Sequence, residues 1–116
     1  MQTVDKDHPI TLTTLQEMSD GMFGGLVKAV VDVKREVMVV DAELHADQER
    51  ELLQAGSEQS DVWGINLYPE LFGTDDFIEY DSMINIRPVQ NNRSRSVEDE
   101  RLRSAIVRIV DGMVQV

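Results

Sequence analysis

The chain has 116 residues, no cysteine, and 22 acids against 11 bases, for a formal net charge of -11. That length suits one domain, residues 1–116, and 41% hydrophobic with 28% charged residues is the composition of a chain that builds a core. Without cysteine there are no disulfides, no thiolate chemistry and no Cys-ligated zinc or iron–sulfur centre. The acidic bulk argues against nucleic acid as a partner.

The opening residues, MQTVDKDHPITL, lack the basic start and apolar stretch of a signal peptide. The longest aliphatic run near the middle, VMVV, is far shorter than a membrane span. A cytoplasmic protein with no membrane partner is the expectation.

The first element, TLTTLQEMSDGMFGG, predicts a helix. Thr14 followed three later by Glu17 fits a capping box. Leu12, Leu15, Met18 and Met22 fall on one face, and Gly24-Gly25 ends the element. LVKAVVDVKREVMVVDAELH follows, two β-branched runs around a charged KRE, and predicts a hairpin without a glycine at its turn. ADQERELLQAG predicts a surface helix, with Asp47 as N-cap, Leu52-Leu53 as its apolar pair and Gly56 just past its end. VWGINLYP and FIEYDSMINIRP predict a second hairpin joined through ELFGTDD. Pro69 and Pro88 mark where its ladders stop. Pro88 and VQNNRSRS form a loop. VEDERLRSAIVRIVDGMV predicts the closing helix, with an apolar stripe at Leu102, Ile106, Ile109 and Met113 and with Glu98 and Asp99 in its first turn.

The layout is α-ββα-ββα. This is an α+β fold of two hairpins forming a four-stranded, mainly antiparallel sheet, with about three helices on one face. Such a sheet leaves two open edges and can leave one face bare, and a homodimer would cover either.

Strand alternation sorts the side chains. Ile78, Tyr80, Ser82, Ile84 and Ile86 share one face of FIEYDSMINIR; Phe77, Glu79, Asp81, Met83, Asn85 and Arg87 share the other. Trp63, Ile65 and Leu67 face the core, with Trp63 as an anchor. Gly64, Asn66 and Tyr68 face away. One sheet face therefore carries Asp41, Glu43, His45, Asn66, Asp81, Asn85 and Arg87.

From Ser82 to Val97 this acidic chain has three arginines and no acid. Three readings compete for that segment. Its arginines can pair with nearby acids, which contributes about 0–1 kcal/mol per surface pair. They can form an anion site, since guanidinium groups with Asn amides suit carboxylate or phosphate and the loop leads into a helix N-terminus. They can also form an interface, where an Arg-rich loop on an acidic protein is self-complementary.

ELHAD spaces Glu43, His45 and Asp47 two apart, and imidazole with carboxylates can act as a general base. One interior histidine is too few for a metal site, and neither a metal nor a cofactor is expected. Ser82 lies on the apolar face and in no nucleophile elbow. Gly24-Gly25 matches no phosphate loop.

ELHAD, DVWGINLYPE, IEYDSMINIRP and NRSRSVED together resemble a small prokaryotic family catalogued as a domain of unknown function. The resemblance runs from MFGGLVKAVVDV to the end of the chain. It implies no activity, substrate or catalytic residue. One departure is Asn91-Asn92 where the family favours glycine, and Asn tolerates the left-handed turn conformation that glycine would supply.

The favoured reading is a binding protein for an anionic small molecule or a partner peptide. Arg87, Arg93 and Arg95 would hold the anion, and Asn66, Asn85 and Asn92 would orient it. One alternative is a small hydrolase or transferase using His45 with Asp41, Glu43 or Asp81. Another is a homodimeric interaction module without a small ligand.

Overall fold

A computed structural model describes residues 1–22 and 24–116. Its elements are β1 (Gln2–Val4), β2 (Ile10–Thr11), α1 (Leu12–Asp20), β3 (Val27–Asp32), β4 (Val37–Val40), α2 (His45–Gln54), β5 (Val62–Leu67), β6 (Ile78–Glu79), α3 (Glu100–Asp111) and β7 (Val114–Gln115). Among the described residues the fold is α+β with three α-helices, as the sequence predicts. The sheet differs: five strands in the order β1-β4-β3-β5-β6, all neighbours antiparallel, with β2 and β7 making a separate parallel pair. The short runs at the two ends of the chain, β1 and β7, carry no strand signal of their own. They pair because β4 and β2 offer free edges.

β3 and β4 form the predicted hairpin, with Val30 opposite Val39 and Val31 opposite Met38. Its turn needs no glycine. Asp32 Oδ1 accepts from the backbone N–H of Lys34 and of Arg35, both at 2.9 Å, and Glu36 takes the left-handed position at φ 54°. The buried Asp32 carboxylate also accepts the Ser57 hydroxyl at 2.6 Å.

Both sheet faces are covered. Val27, Ala29, Val31, Trp63, Ile65 and Leu67 point to one face, where Leu15 of α1 and Ile106, Ile109 and Val110 of α3 complete the main core. Val30, Val39 and Val62 point to the other, where Leu52 of α2 covers them with Ile84. This corrects the expectation of helices on one face. The buried stripe of α2 is His45, Gln48 and Leu52. Two of those three are polar, so the helix reads as a surface one. Gln48 Nε2 donates to the Lys28 carbonyl at 2.7 Å, which lets an amide replace an apolar contact.

Two caps also differ. Thr11, not Thr14, caps α1 by accepting the Thr14 N–H at 3.1 Å. Leu44 stands at the N-cap of α2, and Asp47 lies in its first turn. Phe23, in the segment read as the end of the first helix, lies outside the described residues.

The largest correction concerns FIEYDSMINIRP. Only Ile78 and Glu79 form a strand, pairing with Leu67 and Asn66. Met83–Asn85 and Pro88–Gln90 are 3-10 turns. β6 therefore leaves the Val62–Ile65 edge of β5 without a strand partner. Side chains close that edge instead. Asn85 Oδ1 accepts from Gly64 N at 2.8 Å, and its Nδ2 donates to Gly64 O at 2.9 Å, as a neighbouring strand would. The polypeptide passes so near that a Cβ on Gly64 would stand 2.6 Å from Ser82.

Candidate functional site

The Arg/Asn segment is mostly internal structure. Arg87 is 7% exposed. Its guanidinium donates to the carbonyls of Ile84 at 3.0 Å, Gln59 at 2.6 Å and Val62, and it lies over the Trp63 ring at 4.4 Å. Burial pulls its pKa below the ordinary arginine value, with Glu49 opposing. Asn92 accepts from Glu98 N at 2.9 Å, and its Nδ2 reaches the carbonyls of Asn85 and Ser96, both at 2.7 Å. Asn91 holds the left-handed turn at φ 59°.

The loop does bind an anion, and that anion is its own. The Glu98 carboxylate accepts from Arg93 N at 2.7 Å, Ser94 N at 2.9 Å and Ser94 Oγ at 3.0 Å. Those bonds, led by Ser94 and Arg93, hold Glu98 below the usual carboxylate pKa. The Arg93 side chain is exposed.

Arg95 is different. Its carbonyl is fixed by Ser82 N at 3.0 Å and Asn85 Nδ2 at 3.0 Å. Its exposed guanidinium turns to Asp81, with Nε donating to Oδ1 at 2.5 Å. There it joins His45, Lys28 and Ser82 around a pocket of about 210 Å³, with Leu44 and Met83 at its lip. Leu44 and Met83 are 59% and 65% exposed.

His45 opens α2 and is buried against the sheet. Its Nε2 lies 2.8 Å from the Ile65 carbonyl. A carbonyl only accepts, so Nε2 carries the proton and Nδ1 is left as an acceptor in the neutral ring. Burial pulls the His45 pKa down; the Ile65 carbonyl and Asp81 push it up, and Lys28 and Arg95 push it down. Lys28 sits in β3 opposite Asn66 of β5. Among the described residues no carboxylate pairs with it. Asn66 donates to Glu79 Oε1 at 2.8 Å and to the Asp81 carbonyl at 3.3 Å, and Tyr68 donates to the same Glu79 oxygen at 3.1 Å.

Of the residues singled out from sequence, His45, Asp81, Arg95 and Asn66 converge on this end of the sheet. Arg87, Asn85 and Asn92 lie in the loop scaffold. Asp41 and Glu43 are exposed after β4, which stops where Asp41 turns to φ 69°. Sequence reasoning missed Lys28, although it is the lone cation in β3, between Val27 and Ala29. It also set Ser82 aside because the alternation it used ends at Glu79. Among the described residues no three His, Asp or Glu side chains gather to hold a metal ion, and no helix is long and apolar enough to cross a membrane.

An α+β sheet covered on both faces, with one small cation-lined pocket beside a helix start, defines a class of domain rather than an activity. The chain belongs to the family described as "Protein of unknown function (DUF5674)", whose match spans residues 5–113. No curated protein and no solved structure shows significant similarity to it.

Proposed function

We propose that the chain is a binding protein for a small anionic ligand, taken up in the pocket between the start of α2 and the Ser82–Asn85 turn. The observation that carries this reading is the pair of cations there, Lys28 without a carboxylate partner and Arg95 on an exposed one, in a chain of net charge -11. Lys28 and Arg95 hold a carboxylate or phosphate. His45 Nδ1 faces a neighbouring donor on the ligand, such as a hydroxyl. The volume of about 210 Å³ lies below the roughly 300 Å³ at which drug-sized sites begin. The ligand is therefore small, or is the anionic end of a longer molecule whose apolar part rests on Leu44 and Met83. Arg93 stands outside the pocket and serves as long-range attraction.

A thermal-shift panel tests this. Phosphate, sulfate, acetate and glycolate are run on wild type, Lys28→Ala and Arg93→Ala. A ligand at 100 times its dissociation constant contributes about 2.7 kcal/mol of stability, a shift of several degrees in a chain of this size. The shift should vanish in Lys28→Ala and persist in Arg93→Ala. Equal shifts in all three proteins would overturn the site.

One observation favours a second reading. Ser82 lines the same pocket as His45, whose Nδ1 is unpartnered among the described residues. A hydrolase or transferase would use that nitrogen as general base. Turnover of activated esters that is lost in His45→Asn and in Ser82→Ala would favour chemistry over binding alone.

A further inference from the structure

On the other side of the sheet, a second and larger cavity of about 540 Å³ opens between the Phe72–Phe77 turn, β6 and the outer side of α3. Its walls are Phe72, Phe77, Tyr80 and Val107, and Asp75 and Asp111 stand at its mouth. Phe72 and Phe77 meet edge to face, with centroids 5.1 Å apart, which keeps the aromatic wall in place. Among the described residues neither Asp75 nor Asp111 has an ion-pair partner. A separate cavity along α3, lined by Asp75, Glu100, Arg103, Ser104 and Val107, shares Asp75 and Val107 with it. Arg103 already lies over the Tyr80 ring at 4.5 Å, so a guanidinium on this wall is a contact the fold itself makes.

We propose that this cavity is a site for an organic cation, an ammonium, amidinium or guanidinium carried on an apolar body. The physical reason is the pairing of two kinds of group. Aromatic faces attract a cation while burying its hydrocarbon part, and two carboxylates at the mouth neutralise its charge without closing the space. A neutral apolar ligand would gain from the walls alone, and an inorganic cation from the carboxylates alone. Only an organic cation uses both. The site is independent of the anion pocket, which lies under α2 on the opposite face.

The test is calorimetric titration with benzamidine and phenethylamine, and with benzamide and 2-phenylethanol as neutral counterparts. The cations should bind and the neutral compounds should bind about two- to fivefold more weakly, the factor that one exposed cation–aromatic contact supplies. Asp75→Asn and Asp111→Asn, both surface changes that leave the core intact, should each weaken the cations by a similar factor. Lys28→Ala should leave them unchanged, which separates this site from the anion pocket. N-acetyl-lysine methylamide and a short lysine–leucine peptide distinguish a free amine from a polypeptide side chain as the source of the cation. Equal binding of charged and neutral compounds, or cation binding indifferent to both aspartates, overturns the proposal. No binding of any cation at millimolar concentration does so as well.

Discussion

Arg87 sits over Trp63, its guanidinium carbon 4.4 Å from the ring centroid, while its N–H groups serve the carbonyls of Gln59, Val62 and Ile84. An acidic chain keeps a basic, amide-rich segment because β5 runs out of strand partners. Arg87 and Asn85 do with side chains what a longer β6 would do with its backbone. Arg87→Ala leaves three carbonyls without their donor and uncovers Trp63. It should cost about 2–4 kcal/mol, roughly ten degrees or more in melting temperature. Arg87→Lys should recover little, since an ammonium cannot fork to three acceptors while covering the ring. Urea unfolding measures both; a loss under 0.5 kcal/mol for either variant would show that the loop is not a structural clasp.

Gly64 tests the same contact from the other side. A Cβ there would meet Ser82 Cβ and Oγ at 2.6 Å. Gly64→Ala should therefore destabilise by about 1–3 kcal/mol. The double variant with Ser82→Gly should recover part of the loss, giving a coupling that a double-mutant cycle reads directly. Additive losses would place the cost elsewhere.

Glu98 gives an acid-side signature. Its folded pKa is depressed, so its contribution is present above the unfolded value near 4.5 and is lost as pH falls through the folded one. Melting temperature measured from pH 7 down to pH 3 should fall more steeply in wild type than in Glu98→Gln. Parallel curves would contradict the capture of Glu98 by the Arg93–Ser94 backbone.

His45 acts in a higher window. Its folded pKa is lowered, chiefly by burial, so between that value and the unfolded value near 6.5 the unfolded chain binds the extra proton. Stability from neutral His45 is complete above about pH 6.5 and is lost as pH falls below it. An anion between Lys28 and Arg95 offsets the cations that depress the ring, so binding of sulfate, which offers Nδ1 no donor, should take up protons. Titration in buffers of different ionisation enthalpy should show that uptake, and His45→Gln should abolish it.

Much of the α+β class was legible because β-branched runs and the 3.6-residue stripe of α3 are strong local signals. Ile106, Ile109 and Met113 are buried as their spacing predicts. The second sheet face was not legible, because His45 and Gln48 anchor α2 through carbonyls that no sequence pattern displays. The alternation of FIEYDSMINIR was misleading for a related reason. Ser82 accepts the Ile84 N–H and starts a turn, so residues after Glu79 leave the sheet. For the site, His45, Asp81, Arg95 and Asn66 were visible as types. Arg87 looked like the best ligand because charge patterning cannot distinguish a guanidinium facing solvent from one held by carbonyls.

The most direct measurement of the binding claim is the ¹⁵N spectrum of the His45 ring during addition of phosphate and of glycolate, in wild type and in Lys28→Ala. The account predicts that the Nδ1 resonance moves with saturation in wild type, that Nε2 keeps the signature of a proton donated to Ile65, and that Lys28→Ala removes the response. A silent His45 ring, with shifts confined to Arg93 and Ser94 or absent altogether, would contradict it.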